Sequence, residues 1–140
     1  MGPAEGALRP HRRRVSDLPV RAILDATAVL AYGRGNVGVG EVIAEIADEH
    51  AGFGVPDLCL IEAARQLDHD EWPALDLLVR HSQCVRLALP ADWRDFATVA
   101  RLLSGTSRAA AMLAAVDHGA YLLTAEPDAF GDDAPLVIGI

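Results

Sequence analysis

Short apolar runs alternate with stretches of helical periodicity along this chain, and that alternation limits its fold more than any other feature. The runs cover residues 20–24, 53–56, 84–89 and 120–123, with a possible fifth at 136–138. Between them the pattern changes from strand-like to helical. Residues 26–32 read as a short helix, broken by Gly33-Arg34-Gly35-Asn36. Val39, Val42, Ile43, Ile46 and Ala47 then recur at the spacing of one helix face, while Glu41, Glu45, Asp48 and Glu49 take the wet face. Asp57 is placed to cap a helix through about Leu67, and Pro73 suits the first turn of another through about His81. Asp92 and Asp95 open a further helix. The last helix spans 108–118, with Met112, Leu113 and Val116 inward and Gly119 closing it. Short buried strands separated by helices predict an α/β fold: three layers, α/β/α, around a mainly parallel sheet of about five strands.

The chain has 140 residues, 51% of them hydrophobic, which is one ordinary domain with one real core. No uncharged apolar run is long enough to span a membrane. Cys59 and Cys84 are the only cysteines, too few for a disulfide framework and in keeping with a reducing, cytoplasmic setting. The net charge is -8, unevenly spread: residues 1–20 carry +2, owing to Arg9, Arg12, Arg13 and Arg14, and the remainder carries -10. Residues 1–19 therefore read as a flexible basic N-terminal extension to a domain over 20–140. The extension has no apolar core of a secretory signal, and its arginines could touch nucleic acid. The acidic body excludes a simple basic glove for nucleic acid.

Three carboxylates stand at or just past strand ends, where open parallel sheets place their sites. Asp25 closes the first run, Glu62 lies about one and a half turns into the helix after the second, and Glu126 follows the fourth, two residues beyond Thr124. If the first and fourth strands are neighbours, the three can converge. Converging carboxylates repel, so they call for a cation or for raised pKa values, and Mg²⁺ and Mn²⁺ are the natural occupants. Simpler roles stay open: Asp25 as an N-cap, Glu62 as the partner of Arg65, Glu126 as an ordinary loop acid.

Ile23-Leu24-Asp25-Ala26-Thr27-Ala28-Val29-Leu30 resembles the opening motif of the PIN-domain family. Val55-Pro56-Asp57-Leu58 through Ile61-Glu62, and Gly119-Ala120-Tyr121-Leu122-Leu123-Thr124, resemble its second and last motifs. The resemblance covers about residues 20–130. It implies a five-stranded parallel sheet and a metal-dependent ribonuclease, often the toxin of a toxin–antitoxin pair and often a homodimer. Asp25 and Glu62 match the family's first two catalytic acids, and Thr27 its nearby hydroxyl. Glu126 holds the place of the last acid as an outer metal ligand, and Thr124 belongs to the same motif. Where the family carries a further Asp, this chain has Arg108. At roughly 6 Å and an effective dielectric of about 20, a guanidinium beside a dication costs on the order of 5 kcal/mol before screening. Arg108 thus either turns away, towards a phosphate, or weakens the metal site. A fold that kept binding of RNA or protein but lost the chemistry is the alternative.

Other signals carry less. Gly33 through Gly38 satisfies G-x-G-x-x-G, but does not directly follow a strand, so a helix–helix loop is the better reading. Trp72 and Trp93 read as core or interface anchors. The five histidines lack metal-ligand spacing.

Overall fold

The computed structural model describes residues 18–131 and 136–140. Five strands form one all-parallel sheet in the order β3-β2-β1-β4-β5. They are β1 (Val20–Leu24), β2 (Gly52–Pro56), β3 (Cys84–Leu87), β4 (Tyr121–Thr124) and β5 (Val137–Gly139). Among the described residues six α-helices accompany them: α1 (Ala26–Gly33), α2 (Val37–Asp48), α3 (Asp57–Gln66), α4 (Trp72–Val79), α5 (Trp93–Leu103) and α6 (Thr106–His118). The expected three-layer α/β/α architecture is therefore present. The chain winds outward from β1 through β2 to β3, then returns to lay β4 on the other side of β1. This reversal puts the C-terminal ends of β1 and β4 side by side, at the topological switch point.

Two apolar clusters, one on each face, hold the layers together. Ala22, Leu24, Phe53 and Val55 meet Val29, Val39, Ile43, Leu75 and Leu78 from α1, α2 and α4. On the opposite face Val20, Ile23, Val85 and Leu122 meet Ala111 and Ala115 of α6. Val20 and Ala22 face opposite layers because the β1–β2 register shifts between them. Gly54 is hemmed in at the centre of the sheet. A Cβ there would lie 2.7 Å from Ile23 Cδ1 and 2.9 Å from Leu87 Cδ1.

Several local expectations are corrected. Asp57 is not an N-cap: Pro56 holds that place, and the Asp57 carboxylate instead accepts from Arg86 of the adjacent strand at 2.8 and 3.1 Å. β3 stops at Leu87, because its partner strand ends at Pro56. On α6 the inward residues are Ala109, Ala110, Ala111 and Ala115, while Val116 is exposed. Met112 does pack, half-buried, against the core, as expected; the small alanines let this helix approach the sheet closely. Neither Trp72 nor Trp93 is a core anchor: Trp72 is partly exposed and Trp93 lies largely in solvent. The indole of Trp72 donates to the Ala64 carbonyl, and Arg94 stacks over Trp93 at 4.4 Å. Residues 34–36 join α1 to α2, so the G-x-G-x-x-G run spans a helix–helix junction, as expected, and does not follow a strand.

The basic run at residues 9–14 lies outside the described residues. Leu18 and Pro19 do not: the Pro19 carbonyl accepts from the Gly52 N–H at 2.9 Å, continuing the edge of β1. Among the described residues no helix is long and apolar enough to cross a membrane.

Candidate active site

The site begins where β1 and β4 end together. Leu24 pairs with Leu123, and the Asp25 N–H donates to the Leu123 carbonyl at 3.2 Å. Asp25 then caps α1. Its Oδ1 accepts the Ala28 N–H at 2.9 Å and the Thr27 hydroxyl at 2.6 Å. The N-cap role weighed from the sequence is therefore real, but it occupies only one oxygen. Asp25 is 3% exposed, and among the described residues no cation pairs with it. Oδ2 makes no hydrogen bond with them either, and no fully buried side-chain oxygen lacks a partner, so Oδ2 reaches the surface of the adjoining cleft.

That cleft has a volume of about 340 Å³. Asp25, Thr27, Glu62, Arg108 and Glu126 all line it, so five of the six residues singled out in the sequence share one space. The sixth, Thr124, is corrected: it lies fully buried beneath the cleft. Its hydroxyl accepts from the Glu126 N–H at 2.9 Å and meets the Thr27 hydroxyl at 3.2 Å. Thr27 also accepts the Ala125 N–H at 2.8 Å. The two threonines thus tie the first turn of α1 to the turn after β4, and Thr27 spends its single proton on Asp25.

The three acids share the cleft without clustering. Among the described residues no three His, Cys, Asp or Glu side chains stand together as a metal-binding group. Two of the three instead face arginines. Arg65 grips Glu62 with two nitrogens, at 2.6 and 3.3 Å, and Gln66 adds a bond at 2.9 Å. The hydrogen bonds from Arg65 are the largest cause holding the Glu62 carboxyl below its ordinary range. Glu62 sits one turn before Arg65 on α3, so this pair follows from sequence spacing alone. Glu126 is turned towards Arg108, whose Nη2 stands 3.7 Å from Oε1. Nη1 of Arg108 donates to the Leu103 carbonyl at 3.1 Å, at the end of α5. Arg108 therefore stays in the cleft wall and does not swing out.

Sequence reasoning missed the far wall, built from Ser104, Gly105, Thr106 and Ser107. There α5 ends on Ser104 in the left-handed region and α6 starts at Thr106. Gly105 caps α6 without a side-chain acceptor, so the first-turn N–H groups of a 13-residue helix stand at the cleft. A glycine immediately before a helix with no acid in its first turn was the available signal. Gln66 was missed as well. Behind the wall, the Cys59 thiol donates to the Ser107 carbonyl at 3.3 Å. Burial first, and then the Asp25 charge, push its pKa upward.

With Arg65 on Glu62 and Arg108 facing Glu126, Asp25 is the acid of the cleft that no arginine balances among the described residues. A comparison with protein-family models found no matching family, and one with curated proteins found no matching relative.

Proposed function

We propose that this chain is a PIN-like ribonuclease that hydrolyses RNA phosphodiesters with the help of Mg²⁺ or Mn²⁺. The observation that carries the proposal is Asp25: a nearly buried carboxylate, fixed through one oxygen, with the other presented to a polar cleft. The donor set fits a divalent ion of this kind. Mg²⁺ is commonly held by one or two carboxylates together with water and substrate phosphates, and does not need a cage of three acids. Asp25 and Glu62 would hold it, with Glu126 as an outer ligand. Once bound, it would lower the pKa of a water and neutralise charge on a phosphate oxygen.

The remaining roles fall to the chain itself. Thr27 and the Ala28 N–H orient Asp25 and keep its rotamer fixed. Arg65 keeps Glu62 ionised and directed. Arg108 presents a planar guanidinium to a phosphate, which would displace Glu126 from it. The open first turn of α6 favours an anion at the same wall. The acidic body repels RNA elsewhere, so the cation and Arg108 would supply the local attraction. The resemblance to the PIN family extends the proposal to a cytoplasmic toxin with an antitoxin protein as partner, acting as a homodimer. A small reading frame for an antitoxin beside the gene supports that extension, and its absence counts against it.

One observation favours a second reading. Arginines already pair with two of the three acids. That is the arrangement of a PIN-like module that binds RNA or protein without cutting. Mn²⁺ calorimetry separates the two: binding that Glu62→Gln abolishes supports the nuclease, and no binding supports the module. Cleavage of RNA in Mg²⁺ or Mn²⁺ tests the nuclease itself.

A further inference from the structure

The cleft does not end at Glu126. Past Thr27, Gln66 and Glu126, which line both spaces, it opens into a second groove of about 610 Å³, walled further by Leu30, Ala31, Arg34 and Asn36. Thr27, Leu30, Ala31 and Arg34 follow the spacing of one helix face, so the groove runs along α1 from its first turn to its last. At 1.5 Å per residue, Thr27 to Arg34 is about 10 Å.

The two ends of the combined groove are alike in charge. Arg108 stands at one and Arg34 at the other, with the carboxylates between them. Arg34 is exposed at the end of α1, and among the described residues its guanidinium has no acidic partner. Between Arg34 and Glu126 the wall is apolar: Leu30 and Ala31 are half-buried and packed against the core beneath. Asn36 spends its carbonyl oxygen on the Val39 N–H at 3.2 Å, which leaves its amide NH₂ as a donor. An apolar wall, an amide donor and a cation in sequence suit one nucleotide: base face, base edge and phosphate. Gly35, at a φ of +86°, makes the bend between Arg34 and Asn36, both of which line the groove.

We infer that this second groove is a subsite for the nucleotide next to the scissile phosphate of a single-stranded RNA, with Arg34 holding that nucleotide's phosphate. The inference rests on the ribonuclease reading and adds to it a second phosphate contact, at Arg34, beyond the central cleft. Single strands can splay a base onto such a wall, whereas duplex RNA keeps its bases stacked and paired.

The test uses the full chain carrying Asp25→Asn, so that a short fluorescent single-stranded RNA stays intact during anisotropy titrations. Arg34→Ala in that background should weaken binding about five- to tenfold and reduce the slope of log K against log salt by about 0.7, the value for one phosphate contact on a single strand. Arg34→Lys should restore the slope. A labelled mononucleotide, which fills only the central cleft, should bind equally with and without Arg34. Arg34 is exposed, so an unchanged circular dichroism spectrum and melting temperature are expected of its variants. Unchanged affinity of Arg34→Ala for the oligomer overturns the subsite, as does weaker binding with an unchanged salt slope. In both cases RNA still binds through Arg108, and the functional reading survives. A wild-type chain that neither binds nor cuts RNA in Mn²⁺, or that binds an acidic peptide in its place, overturns both.

Discussion

Arg108 bridges Glu126 and the Leu103 carbonyl, with its terminal nitrogens 3.7 and 3.1 Å from the two oxygens. One residue thereby sets both the charge of the cleft and the end of α5. Removing it should move two properties in opposite directions. In Arg108→Ala, Mn²⁺ affinity should rise by up to about fivefold, since a partly exposed ion pair amounts to at most about 1 kcal/mol. RNA binding should fall in the same variant. Calorimetry and anisotropy on one preparation check the pair, and a fall in both would show that Arg108 mainly holds the fold.

Asp25 has two separable roles. Asp25→Asn keeps an oxygen for the Ala28 N–H, whereas Asp25→Ala removes the cap. Loss of the cap costs about 1 kcal/mol, or about 3–5 °C in melting temperature at this size. Asp25→Asn should melt close to the parent and Asp25→Ala below it, by calorimetric scanning. Equal melting of the two variants would rule out the capping role.

The architecture was largely legible in the sequence, and the charge pairing at the site only in part. The sequence pattern located the five strands and six α-helices of the described residues, because buried parallel strands are short and apolar and their helices are amphipathic, but not the short 3-10 turns at His69–Glu71 and Pro127–Phe130. Asp25, Glu62 and Glu126 were placed at one end of the sheet by strand order alone, and one cleft holds them. Long-range partners were not legible. Nothing local in Arg86 says that it sits across from Asp57, or in Arg108 that it faces Glu126. The buried face of α6 is legible at Met112 but not at its alanines: close approach to a sheet favours alanine, which hydrophobic size ranks low. The buried position of Thr124 came from pairing across the β1–β4 junction, which no single segment encodes.

Glu62 carries a pH dependence whose sign follows from its pairing. Arg65 depresses its folded pKa below the ordinary 4.5. The pair therefore contributes stability fully above that value and loses it as pH falls through the lower, folded value. The side chains are well exposed, so the effect on melting is small. Carbon NMR of the Glu62 carboxyl reads it directly. Arg65→Gln should move that titration upward, towards 4.5. An unmoved midpoint would show that Arg65 does not govern Glu62.

Gly54 should tolerate no side chain without cost. The Cβ of Gly54→Ala would crowd Ile23, Leu87 and Val20, all held in the layer under α6. Overpacking of this kind typically costs about 1–3 kcal/mol. Urea titration measures it, and a midpoint equal to the parent's would mean that the layer is looser than its contacts imply.

Both thiols should be inert in the folded protein. Burial pushes the Cys84 pKa up to about 11, and the Cys59 pKa is raised further. At pH 8 a thiol reagent should label neither until the chain is unfolded, as judged by mass spectrometry. Rapid labelling of Cys59 in the native state would mean that the α5–α6 wall opens.

Cleavage of a single-stranded RNA in Mn²⁺ and in Mg²⁺, by the parent and by Asp25→Asn side by side, tests the central claim most directly. The variant should keep its fold, since Asn can still cap α1. The parent should cut the RNA in at least one of the two metals and lose this with chelator. Asp25→Asn should be slower by about 100-fold or more, as expected when a group acting on charge in the transition state is removed. Equal cleavage by both proteins, or none by the parent in either metal, would contradict the account.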